Sequence, residues 1–238
     1  MADVAVFRNL GFAGMGILTA VTAQNTRKVH RILCLPPRFL ERQYQILASD
    51  IRLSGIKVGM LGCRKNLAVL SRILGDRKGL PAVADPVFRA SSGRWLLEKS
   101  AVKSYLGAVK GRISVLTPNL AEAALASGRA VRNVLEMKEA ARVIAASIEA
   151  PCLVKGGHLA GDAVDVLFDG KDFSLFERKK IEADIHGTGC LHSSSLLCFL
   201  VRGHSLAEAC GLAAKWTHRA IRNSSRIGKG RPIALFFP

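Results

Sequence analysis

Acid is scarce in this sequence: 238 residues carry 18 Asp and Glu against 35 Lys and Arg, a formal charge of +17. Aromatic residues are scarce too, at 6%. The basic residues are scattered along the chain rather than interleaved with rings, which argues against a stacking groove for nucleic acid. No specific nucleic-acid partner is therefore expected, and the surplus charge points as readily to anionic ligands. Long apolar runs are missing. The longest, at 196–201, is six residues, where a spanning helix needs about 20, so no membrane partner is expected. The cysteines at 34, 63, 152, 190, 198 and 210 include no pair at zinc or redox spacing, and no signal peptide precedes them. That pattern reads as a reduced, cytoplasmic, soluble protein. Repeats, low-complexity blocks and linkers are absent. With 49% hydrophobic residues the chain is too apolar for disorder, and 1–238 reads as one domain.

What is present is an alternation of short apolar runs with longer amphipathic ones. Residues 16–23 (GILTAVTA) read as a buried strand, and 36–54 as a helix with Phe39, Leu40, Ile46, Leu47 and Ile51 near a 3.6-residue period. Further strands are expected at 56–61, 81–84, 113–116 and 152–154, and helices at 67–74 and 136–148. Residues 163–180 read as a hairpin turning at Asp169-Gly170, and 187–202 and 205–225 as closing helices. Strands apolar on both faces, alternating with helices, predict an α/β fold with a central, mostly parallel sheet flanked by helices on both faces.

In such sheets ligands sit beyond the carboxyl ends of the strands. The expected exits carry Gln24-Asn25, Gly59-Met60, Asp85, Asn119 and Lys155. Singly each reads as a turn or cap residue; together they point to a ligand site. Gly187-Thr188-Gly189-Cys190 precedes a long helical region, and its glycines let backbone N–H groups turn inward to form an anion pocket. The segment is neither a Walker A loop nor a dinucleotide fingerprint. Cys190, in the first turn, reads either as a base or nucleophile with a lowered pKa or as a small buried hydrophobe. Cys198 and Cys210, among apolar neighbours, fit the second description.

Six motifs occur in order: TAVTAQNT at 19–26, KVGML at 57–61, DPV at 85–87, TPNLAE at 117–122, VKGGH at 154–158 and GTGC at 187–190. This set resembles the hydroxymethylpyrimidine/phosphomethylpyrimidine kinases of the ribokinase-like superfamily, across essentially the whole chain. The resemblance implies ATP-dependent phosphorylation, with Mg2+, of 4-amino-5-hydroxymethyl-2-methylpyrimidine and of its monophosphate in thiamine biosynthesis. It implies that Gly187, Thr188 and Gly189 form an anion hole, with Cys190 as a thiolate base. Lys155 and Asn119 would serve ATP and its phosphates, and Glu122 and Asp85 the metal. Asp3, Gln24 and Met60 would contact the pyrimidine. Pyridoxal kinase and a non-catalytic pyrimidine-binding homologue are the alternative readings, and a homo-oligomer is left open.

Three departures from the family pattern are visible. The resemblance implies that the chain begins, at Ala2-Asp3, inside a glycine-rich segment like GSDPSGGAGIQAD, with one central strand and part of the substrate floor absent. Leu191-His192-Ser193 stands where Thr-Leu-Ser is usual, and His192 is expected on the helix surface. Phe88 replaces a common methionine. His158 and His186 lack a third ligand at metal spacing and read as loop hydrogen-bonding groups, and Arg178-Lys179-Lys180 as a solvated face.

Overall fold

The computed structural model describes residues 2–234 apart from 91, 158, 160, 182–184 and 186, so the expectations for His158 and His186 lie outside the described residues. The first element is a helix, α1 (Ala2–Asn9), not read from the sequence. It buries Val6 completely against Leu191 and Ala220. Next come β1 (Ala20–Gln24) and β2 (Val29–Cys34), an antiparallel pair that forms a two-stranded sheet of its own. This corrects the reading of 16–23 as a buried strand. Val21 and Leu33 face each other across the pair and are 51% and 64% exposed. An apolar run rich in β-branched residues fits either a core strand or a two-stranded ribbon, and only its partner decides which.

The chain then alternates strand and helix, with two helices, at 102–109 and 120–127, that the sequence reading did not include. α2 (Pro37–Asp50) has proline in its first turn, where a missing N–H costs nothing. It is followed by β3 (Ile56–Val58), α3 (Leu67–Asp76), β4 (Ala82–Ala84), α4 (Val102–Val109) and β5 (Val115–Leu116). α5 (Leu120–Ser127) leads to α6 (Val134–Ile148), β6 (Cys152–Val154), β7 (Ala163–Phe168) and β8 (Phe173–Arg178). The turn between β7 and β8 is set by Asp169, whose carboxylate accepts the N–H groups of Lys171 and Asp172, with Gly170 at φ 108°. α7 (Thr188–Val201) and α8 (Leu206–Arg222) follow. A short antiparallel pair, β9 (Ser224–Ser225) and β10 (Ile233–Ala234), comes after them.

The main sheet runs β3-β4-β5-β6-β7-β8, parallel through β6 and antiparallel beyond it. Alternation along each strand divides the core into two layers. Ala82, Ala84, Leu116, Cys152 and Val154 face α3, α4 and α6. Val83, Val115, Leu153 and Leu167 face α7 and α8, where Leu196, Phe199, Cys210 and Ala213 pack against them. Burial on both faces explains why these strands read as continuous apolar runs. It also places α7 directly under the carboxyl ends of β3 and β4. Cys198 and Cys210 are core residues, as expected.

Candidate active site

Three adjacent parallel strands end in polar residues, and the ladder continues one residue past each strand. Asp85 N donates to Val58 O at 2.9 Å, Thr117 N to Ala84 O at 2.9 Å, and Lys155 N to Pro118 O at 2.8 Å. The side chains of the β4, β5 and β6 exits are therefore brought into line. Lys155 Nζ donates to Asp85 Oδ1 at 2.7 Å, with both side chains buried (12% and 3% exposed). Thr117 Oγ1 lies 3.4 Å from the same oxygen and 3.3 Å from Ala84 O, and Ser193 Oγ of α7 lies 3.4 Å from Asp85 Oδ2 while its hydroxyl donates within the helix, to Gly189 O at 3.0 Å. Burial opposes ionisation of both partners, yet each is shifted towards its charged form: Lys155 holds Asp85 below its ordinary value, and Asp85 with Glu122 holds Lys155 above its own.

The amino end of α7 meets this pair. Gly187 caps the helix with φ 85°, a left-handed conformation that disfavours a side chain. A Cβ at Gly189 would lie 3.2 Å from Lys155 Nζ and 3.6 Å from Asp85 Oδ2. An ammonium, a carboxylate and a helix N-terminus thus converge at one glycine, with Thr188 before it and Cys190 after it. The expected thiolate at Cys190 is not what the surroundings favour. Its thiol is pushed up to about 11, chiefly by burial and further by Asp85 and Asp3, while Lys57 and Lys155 pull in the opposite direction. Desolvation outweighs the positive groups, because a thiolate loses more by burial than the cations and helix end return.

Asn119 and Glu122 have a local role that the sequence alone left open. They form a capping box on α5: Glu122 N donates to Asn119 Oδ1 at 3.0 Å, and Asn119 N to Glu122 Oε2 at 2.9 Å. Glu122 is buried and its carboxyl is pushed up to about 8, first by burial and then by Asp85, against the pull of Lys155. Across the sheet end, Asp3 of α1 is paired with Lys57 Nζ at 2.9 Å and accepts from Ser194 Oγ at 2.8 Å. Met60 is half-buried, and its carbonyl accepts the Thr19 hydroxyl at 2.7 Å, which ties the base of the β1–β2 pair to the β3 exit. Gln24 is not at an exit of the main sheet. It is the exposed last residue of β1, opposite Val29 at an irregular step in the register.

Two further expectations are corrected. His192 is 3% exposed rather than on the surface, because α7 lies between the sheet and α8 and buries residues 191–199 throughout. Its Nε2 lies 3.6 Å from Asp165 Oδ2, too far for a hydrogen bond. Arg178 is not simply solvated. It pairs with the buried Asp165, while Lys180 donates to Leu159 O at 2.6 Å. Part of the surplus charge is accounted for by a groove of about 720 Å³ between β8 and α8, lined by Arg178, Lys215, His218, Arg219 and Arg222 among others.

A family model described as phosphomethylpyrimidine kinase matches residues 1–233. The chain belongs to the phosphomethylpyrimidine kinase family. A hydroxymethylpyrimidine/phosphomethylpyrimidine kinase of Aquifex aeolicus is 34% identical over 238 residues, covering 99% of this chain and 93% of the relative. One from Rhizobium meliloti is 38% identical over 241 residues, covering 99% and 90%. Among solved structures, the pyridoxal kinase of Staphylococcus aureus in complex with AMP-PCP superposes with a TM-score of 0.88 at 25% identity, over 98% of this chain and 86% of that one. The ribokinase-like α/β fold is thereby shared.

In this phosphomethylpyrimidine kinase family member, four residues around the site were not singled out from the sequence. Lys57 interrupts the apolar run Ile-Lys-Val of β3, and a charge inside a three-residue strand is a signal in itself. Ser193 and Ser194 sit in a run of serines within an apolar helix. Thr117 opens the TPN motif.

Proposed function

We propose that this kinase transfers the γ-phosphoryl group of ATP to the hydroxymethyl group of 4-amino-5-hydroxymethyl-2-methylpyrimidine, and then a second phosphoryl group to the monophosphate, in thiamine biosynthesis. The observation that carries this reading is the convergence of Lys155, Asp85 and the α7 N-terminus at Gly189. The backbone N–H groups at 188–190 and the Lys155 ammonium would face the transferring phosphoryl oxygens, positive charge against spreading negative charge. The substrate oxygen bonds to the γ-phosphorus as the bond to the ADP oxygen breaks. The hydroxyl proton passes to Cys190, which must first have lost its own. Lys57 and Lys155 favour that loss and burial opposes it. Asp3 and Met60 would receive the pyrimidine, with Gln24 reaching it from the β1–β2 pair.

The donors present suit magnesium. Among the described residues no three His, Cys, Asp or Glu side chains cluster as a metal cage. Two buried carboxyl groups, Asp85 and Glu122, are what an ion held mainly by phosphates and water needs. Glu122, whose carboxyl burial pushes up to about 8, would be drawn towards the carboxylate by a bound cation. The ion, when bound with nucleotide, would neutralise phosphate charge.

The test is steady-state phosphorylation of the pyrimidine and of pyridoxal in parallel, with ATP and magnesium. The likeness to the S. aureus pyridoxal kinase makes pyridoxal the second substrate to assay. Turnover of the pyrimidine is expected to exceed that of pyridoxal; the reverse order, or no turnover of either, would overturn the assignment. Cys190→Ala should lower kcat by roughly 100-fold or more, with AMP-PCP binding retained. Because the free thiol lies near 11, kcat/KM should rise through neutral into alkaline pH in the wild type and lose that rise in the variant. Near-normal turnover of Cys190→Ala would remove the thiol from the chemistry.

A further inference from the structure

Lys57 is a lysine inside the sheet, its side chain 3% exposed. Its ammonium lies 2.9 Å from Asp3 Oδ1, and Ser194 donates to that same oxygen at 2.8 Å. Among the described residues neither of these two groups engages the second oxygen, Oδ2, and Asp3 is partly exposed. Oδ2 faces the turn after β3, where it lies 3.8 Å from the position a Cβ would take at Gly59. That same Cβ would stand 2.9 Å from Lys57 Nζ, the end of a flexible side chain that would have to shift to admit it. The turn after β3 therefore lies close over the ion pair.

Burial opposes the charge on Lys57, yet the ammonium is held above its ordinary range, by Cys190 when that thiol is ionised and by Asp3 and Asp85. Asp3 Oδ1 is held by one hydrogen bond, from Ser194, and by its ion pair with Lys57, whose ammonium makes no hydrogen bond of good geometry among the described residues; together they restrict the carboxylate and favour one direction for its other oxygen.

We propose that Lys57 and Ser194 are positioning residues, holding Asp3 by Oδ1 so that Oδ2 is presented beside Gly59-Met60 as the acceptor for the amino group of the pyrimidine. This rests on Asp3 being the ring acceptor, as stated under the proposed function. The two groups come from a strand of the sheet and from the same helix that carries Cys190. Asp3 is thereby indexed to the phosphoryl-transfer end of the site, although it belongs to a different element, α1. A substrate without that hydrogen-bond donor would gain nothing from the arrangement, so Lys57 and Ser194 contribute to selectivity through Asp3 rather than by touching the ring.

The experiment is calorimetric binding of the pyrimidine and, separately, of AMP-PCP to the full chain, with steady-state KM and kcat alongside. The variants are Asp3→Asn, Lys57→Met, Ser194→Ala and the double variant Asp3→Asn/Lys57→Met. Lys57→Met is expected to weaken pyrimidine binding roughly ten-fold or more and Ser194→Ala by a few-fold, as for lost hydrogen bonds to a charged group. AMP-PCP affinity should stay within about two-fold. The double variant should bind the pyrimidine no more weakly than Asp3→Asn alone, because the two residues act through one carboxylate. Equal losses for pyrimidine and nucleotide, or additive losses in the double variant, would overturn the positioning role. If Asp3→Asn leaves pyrimidine binding unchanged, it is the reading of Asp3 that fails instead. Should Lys57→Met not fold, Ser194→Ala and the charge-neutral double variant decide between the same outcomes.

Discussion

Replacing His192 with leucine should make this protein more stable, and the gain should grow as the solution is acidified. The imidazole is 3% exposed, and among the described residues neither ring nitrogen has a hydrogen-bond partner. An unsatisfied buried polar group costs about 1–3 kcal/mol. Asp165 does not need the ring, since it already accepts from Gly156 N at 2.9 Å and pairs with Arg178. Leucine of similar volume should recover about 1–3 kcal/mol at pH 7.5, which for a chain of this size is roughly 2–4 °C in Tm per kcal/mol. The pH dependence has a definite sign. Burial, together with Lys155 and Arg178, lowers the folded His192 from 6.5 to about 4, against the opposing pull of Asp165 and Asp85. Between those values the unfolded chain binds more protons. The associated stability is therefore complete above about pH 6.5 and is lost as pH falls towards 4. Integrated from pH 7.5 to 5.0, this one group removes roughly 2 kcal/mol from the wild type. Urea unfolding of the wild type and His192→Leu at both pH values measures the difference, and the other titrating groups cancel in it. A variant less stable at pH 7.5, or one losing as much as the wild type on acidification, would refute the argument.

Two further perturbations probe the frame around the site. Phe88, fully buried and edge-on to Tyr105 at 5.3 Å between centroids, should cost about 3–5 kcal/mol when cut to alanine. Phe88→Met should cost less than about 1.5 kcal/mol; denaturant midpoints report both, and equal losses would show that the edge-on ring is not what fills the space. Gly156→Ala places a Cβ 1.9 Å from Val164 O, so β7 must move and stability should fall by roughly 1–3 kcal/mol or more. An unchanged midpoint would show that the turn between β6 and β7 can adapt freely.

The frame of this fold was legible because burial writes itself into sequence. β4, β5 and β6 are apolar on both faces, and α3 and α6 carry an apolar stripe each, so the parallel sheet could be read directly, although α4 and α5 could not. Asp85, Asn119 and Lys155, at or just beyond the ends of those strands, were exposed by the same logic, while Thr117 was not. Where the reading went astray, the deciding information was non-local. Whether GILTAVTA is core or ribbon depends on β2, a segment of mixed polarity that announces nothing by itself. His192 looks like a surface residue until α8 and the β7–β8 pair are placed on either side of it. The Cys190 thiol sits at a helix N-terminus, which local reasoning takes as acidifying, but its depth in the protein reverses the balance. Lys57 becomes meaningful only when α1 brings Asp3 to it across 54 positions of sequence. Asn119 and Glu122 were visible as a pair, and their spacing fits both a capping box and a cation site. In the structure one pair of side chains has the geometry of the first and the donor chemistry of the second.

Ser193 and Ser194 are consecutive on α7, yet they lie beside different acids: Ser193 Oγ is 3.4 Å from Asp85 Oδ2, and Ser194 donates to Asp3 Oδ1 at 2.8 Å. Successive helical residues point about 100° apart, so the angle between the two acids, seen from the helix axis, is fixed by a single residue step. α7 therefore works as a key with two adjacent teeth. Turning or sliding it cannot improve one engagement without spoiling the other. An inserted or deleted residue between Gly187 and Ser195 would swing the later hydroxyls away by that same 100°.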